Sequence, residues 1–205
     1  MKIRISGAAL VLALAAAFGA GSARADEISE GLERARELYE KGDVAAALTE
    51  TNFALNALQQ KRSAAFLELF PAPPSGWKLE EASDAAGSAL AAQMMGGGVM
   101  VQRDYAQEGG DGAIEAMIIV DNPLIQALSA MVNNPAMLGR GARRVRIGSD
   151  NAVLERDSGA EEAKMTLVRG NVAVKLEGSG LKSPDILTEL MKRFDLGKLQ
   201  NPQAR

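Results

Sequence analysis

The chain has 205 residues, 47% apolar, 24% charged and 4% aromatic, with 21 glycines, a net charge of −3, no cysteine and no histidine. The apolar share suits a packed globular protein and is too high for a disordered one. Without His or Cys the commonest general base, the usual transition-metal ligands, thiol nucleophiles and disulfides are excluded, and most familiar catalytic sites go with them.

Lys2 and Arg4 precede an apolar run from Ala8 to Ala20, and Ala23-Arg24-Ala25 then supplies the small-x-small pattern of a signal-peptidase site. Residues 1–25 therefore read as an export signal cleaved after Ala25, which places the expected product in the periplasm. The run is shorter than the roughly 20 residues a spanning helix needs, so the mature chain is expected to carry no transmembrane anchor. Removing 1–25 takes away Lys2, Arg4 and Arg24 and no acid, leaving 20 bases against 26 acids and a charge of −6. That balance argues against a nucleic-acid partner, which wants a basic face and usually stacking aromatics. No motif implies a cofactor.

Residues 26–70 read as a helical hairpin. Ile28, Leu32, Ala35, Leu38 and Tyr39 recur at helical spacing, which predicts one buried stripe, and Gly42 ends the helix. Asp43 is a good N-cap for a second helix bearing Val44, Ala47, Leu48, Leu55, Leu58 and Phe66, which Pro71 stops. Ala35, Leu38, Gly42, Asp43, Ala47 and Ala54 sit where a tetratricopeptide repeat puts its small and turn residues, and over this one hairpin the chain resembles such a repeat. A single repeat is too short for a stable array.

Pro71 to Gly76 reads as a rigid, non-helical connector and the domain boundary. Beyond it, 77–198 reads as an α+β domain. Val99, Val101, Arg103 and Tyr105 alternate on one face, as do Ile114, Ala116, Ile118 and Val120, and Glu108 to Gly112 is the turn between these strands. Further strands are predicted at 143–148, 152–156, 164–169 and 172–177, in a mainly antiparallel sheet. Helices open at Asn122-Pro123 and at Ser183-Pro184-Asp185, and both are expected to cover one sheet face. Residues 199–205 are expected to fray. The element order loosely resembles the small domain of PsbP-like proteins, and the whole pattern resembles exported bacterial proteins, a likeness that implies no activity.

Asp104 and Glu115 stand at the first and twelfth positions of a stretch superficially like an EF-hand loop, but both flanks alternate like strands, so the segment reads as a hairpin turn. Gly96-Gly97-Gly98 lacks the Lys-Ser/Thr of a phosphate loop and reads as flexible backbone. Arg140, Arg143, Arg144 and Arg146 form a basic knot able to fork onto an anion or lipid headgroup, the alternative being pairing with Glu155, Asp157, Glu161 and Glu162. A carboxylate-dependent hydrolase needs two acids in a cleft, and nothing in the spacing selects a pair.

Residues 85–102 and 122–139 are each 18 residues without a charge and hold five of the eight methionines of the mature chain. They read either as core or as an adaptable apolar surface. The expected function is therefore a non-catalytic module that binds another envelope protein through the hairpin and a neutral surface including Met94, Met95, Met100, Leu124, Leu128 and Met131. The alternative is a carrier of a lipid or other apolar ligand, and a hydrolase ranks third.

Overall fold

The computed structural model describes residues 22–81, 92, 94–134, 141–156 and 159–201. The expected export signal lies, as far as residue 21, outside the described residues, and so do Met137, Arg140 and Asp157. The protein is α+β, with five helices and a seven-stranded antiparallel sheet among the described residues. It divides into two compact units, up to Ala57 and from Leu58.

The first unit holds α1 (Ser22–Glu40) and the opening turns of α2 (Val44–Leu67). Gly42 takes a φ of 80° between them, a conformation that glycine adopts without steric cost. Asp43 caps α2, its Oδ1 accepting the Ala46 backbone N–H at 3.0 Å.

The second unit holds the end of α2 and the sheet: β1 (Trp77–Leu79), β2 (Val99–Gln107), β3 (Ala113–Val120), β4 (Ala142–Ile147), β5 (Asp150–Glu155), β6 (Ala163–Arg169) and β7 (Val172–Ser179). Their order is β1-β2-β3-β7-β6-β5-β4, two meanders joined where β3 pairs with β7. To pass from β3 to the far edge the chain crosses the sheet, and α3 (Leu124–Asn133) lies across β5, β6 and β7 on that route. The chain closes with α4 (Asp185–Arg193) and α5 (Leu196–Gln200).

The helices occupy opposite faces, not the single face expected. Ile125 of α3 packs with Met100, Ile119 and Ala173, while Leu187, Leu190 and Met191 of α4 pack with Val99, Val101, Ile118, Val120 and Val174. Successive strand residues point to opposite sides, so Val99-Met100-Val101, Ile118-Ile119-Val120 and Val172-Ala173-Val174 bury both sides at once. Their unbroken apolar runs are the signature of strands covered twice.

The proline segment is fastened to the second unit. Tyr105 donates its hydroxyl to the Pro71 carbonyl at 2.9 Å, Arg193 donates to the Pro73 carbonyl at 3.2 Å, and Phe70 meets Phe194 edge-on at 5.9 Å. Burial raises the Tyr105 phenol above its ordinary range. The division between units falls inside α2, ahead of this segment, and Phe66 is fully buried in the core of the second unit. The chain also holds its order past 199: Asp195 caps α5 through the N–H groups of Gly197 and Lys198, and Leu199 is completely buried. The frayed tail expected from 199 is corrected to that extent, because Leu199 is an apolar anchor that its polar neighbours conceal.

Candidate protein-interaction surface

The hairpin of the first unit is held by small residues. Gly31 faces Ala54 so closely that a Cβ on the glycine would lie 3.6 Å from the alanine methyl, and Ala35, Ala47 and Ala54 are buried. Arg34 Nε donates to Glu50 across the seam at 3.2 Å. Small side chains let the helix axes approach, and Ile28 and Leu38, half-buried on the same side of α1, flank them.

Five other large residues stand outside. Leu32 is 47% exposed, Tyr39 69%, Val44 62%, Leu48 61% and Leu55 44%. Of the stripe predicted for α1, Ile28, Ala35 and Leu38 turn inward with Gly31 while Leu32 and Tyr39 stand outside, and in the opening turns of α2 Ala47 is buried with Ala54 while Val44, Leu48 and Leu55 stand outside. At about 100° per residue, Leu32 and Tyr39 leave α1 roughly a quarter turn from its seam, and Val44, Leu48 and Leu55 leave α2 by the same angle from its own. Antiparallel helices wind in opposite senses when viewed from one end, so both sets fall on one side of the hairpin. Phe53, 66% exposed, lies on the other side. The shared face carries no charged side chain, and Arg36 at its margin is engaged by Glu33 and Glu40.

The neutral segments of the second unit divide between core and surface. Met100 is buried beneath α3, whereas Leu124, Leu128 and Met131 are half-buried on it, and Met94 and Met95 are 82% and 46% exposed. Asn122, almost fully buried, ties these pieces together. Its Nδ2 donates to the carbonyls of Gly97 at 2.6 Å and Met95 at 3.3 Å, and its Oδ1 accepts the Leu124 N–H at 2.9 Å, capping α3 as the Asn-Pro pair predicts. The Gly96-Gly97-Gly98 stretch is shaped, not merely flexible: all three have positive φ, and a Cβ on Gly98 would stand 2.3 Å from the Val120 carbonyl oxygen. Close backbone approach requires glycine there.

The arginines serve the backbone. Arg144 Nη2 donates to the Val132 and Asn133 carbonyls at 3.2 and 2.8 Å, closing the C-terminal end of α3, and Arg146 Nε donates to the Gly148 carbonyl at 3.2 Å. Among the described residues neither forms an ion pair. Both lie on β4, one of the two edge strands, where charge discourages pairing with another chain.

Sequence spacing selected no carboxylate pair, but strand register does. Asp104 on β2, Glu115 on β3 and Glu177 on β7 are cross-strand neighbours, and Lys164 on β6 extends the row. Partial burial, then the negative charges of Asp104 and Glu177, raise the Glu115 carboxyl above its usual range. Glu177 is lowered, chiefly by a hydrogen bond from Lys175. Glu115 is exposed, so the row lies open on the sheet surface, and among the described residues no group of three acids is arranged to hold a metal. No described helix is long and apolar enough to cross a membrane. Comparison with known protein families, curated proteins and solved structures gives no match.

Proposed function

We propose that this chain is a periplasmic, non-catalytic protein that works by holding a protein partner on the uncharged face of its N-terminal hairpin. The observation that carries this reading is the placement of Leu32, Tyr39, Val44, Leu48 and Leu55 together on one exposed face, because contiguous apolar surface of that kind marks contact sites. Affinity comes from removing these side chains from water, with Tyr39 as the aromatic anchor that interfaces favour. Arg36, at the margin of the face, forms its wetter rim.

A photoreactive amino acid placed at Leu48 tests the proposal in cells exporting the protein. A protein adduct is expected from position 48 and none from Glu33, an exposed residue on the charged side of α1. Equal labelling at both positions, or none at 48, would refute it.

A further inference from the structure

We infer that the occupant of this face is a second copy of the same chain, the two hairpins closing into a two-fold, four-helix pairing; this identification rests on the interaction reading above. Three observations carry it. The first is size. Taking roughly 200 Å² for each large residue, the exposures of the five correspond to about 550 Å² of surface per copy, most of it apolar. A standard interface covers about 800 Å² per partner, of which about 65% is apolar in homodimers, or about 520 Å².

The second is charge. A two-fold contact brings a surface against itself, so every charge on it meets its own sign. A chain bearing net negative charge is kept apart by most of its surface, and this face is free of that repulsion because Leu32, Tyr39, Val44, Leu48, Thr51 and Leu55 are uncharged. The third is shape. Because Gly31, Ala35, Ala47 and Ala54, flanked by the half-buried Ile28 and Leu38, already line the seam, Leu32, Tyr39, Val44, Leu48 and Leu55 stand as ridges on a closed pair of antiparallel helices. Two such surfaces interdigitate as the helices of a four-helix bundle do. A lone hairpin cannot bury its own apolar stripe, and a second hairpin supplies the missing layer.

Light scattering on the purified full mature chain, from about 1 to 200 µM, tests the assignment. The wild-type mass is expected to be twice that of one chain and to fall on dilution. Leu48→Asp and Tyr39→Asp are expected to give the single-chain mass throughout and to melt as the wild type does at its most dilute, both side chains being exposed. Phe53→Asp, on the other side of the hairpin, is expected to leave the doubled mass intact. Two substitutions on the face keep the test decisive if one of them disturbs folding.

A single-chain mass at every wild-type concentration overturns the inference, as does a doubled mass that Phe53→Asp abolishes and the face substitutions do not. If the wild type is single while a different protein labels position 48, the self-pairing falls and the interaction proposal stands. If it is single and nothing labels, both fall.

Discussion

Replacing Asn122 with Ala should be among the most damaging single polar substitutions, because this side chain joins two segments through opposite ends of one amide. Its Oδ1 caps α3 at Leu124, and its Nδ2 holds the carbonyls of Met95 and Gly97. Loss of the cap costs about 1 kcal/mol. Leaving the Gly97 acceptor, now bonded at 2.6 Å, without its donor costs about 1–3 kcal/mol more, for a total of about 2–4 kcal/mol. At about 2–4 °C per kcal/mol for a domain of this size, the melting midpoint should fall by about 4–16 °C. Circular dichroism melts and urea titrations of Asn122→Ala, Asn122→Ser and Asn122→Asp separate the contributions. Serine keeps the cap acceptor and should recover about 1 kcal/mol, whereas aspartate keeps the acceptor but turns a second oxygen toward the two carbonyls and should recover nothing. If alanine costs less than about 0.5 kcal/mol, or if aspartate matches the wild type, the two-ended role is wrong.

Two further changes probe the sheet and the C-terminus. Glu115 is raised in the folded state, so its ionisation opposes folding: the penalty is absent below about pH 4.5, where the carboxyl is protonated in both states, and grows as pH rises through the window up to the raised value. Glu115→Gln should therefore match the wild type in urea midpoint at pH 3 and exceed it at pH 7, by up to about 0.5 kcal/mol once solvent screening of this exposed group is counted. A variant less stable at pH 7 would contradict this. Leu199→Ala, which truncates a fully buried side chain, should cost about 3 kcal/mol in the same titrations, and a loss below about 1 kcal/mol would show that α5 does not anchor the C-terminus.

Much of the fold was legible because its signals are local. Gly42 with Asp43, Glu108 to Gly112, and Asn122-Pro123 each fix a turn or a helix start through their own chemistry, and the alternation of 114 to 120 marks its strand. What periodicity could not settle was which surface a stripe meets. Leu32, Tyr39, Val44 and Leu48 recur at the spacing of a buried face, yet the hairpin closes through Gly31, Ala35, Ala47 and Ala54. Spacing records that residues share a side, while burial depends on which side a partner helix takes. The acidic row was invisible for a related reason: Asp104, Glu115 and Glu177 become neighbours only through pairing register, which no single strand carries. For Arg144 the composition offers an anion or a nearby acid, whereas the two helix-end carbonyls it meets leave no trace in side-chain composition.

The seam between the two meanders governs how the second unit can assemble. Within each meander the strands meet neighbours close in the chain, as β6 and β7 do around Gly170-Asn171, whereas β3 must find β7 along the whole run from Val120 with Val172 to Ala113 with Ser179. Closing so distant a pair loses chain entropy before any contact compensates it, so this should be the slow step of refolding. Until it closes, two greasy strand edges stand open, and the yield of native protein depends on concentration during that interval.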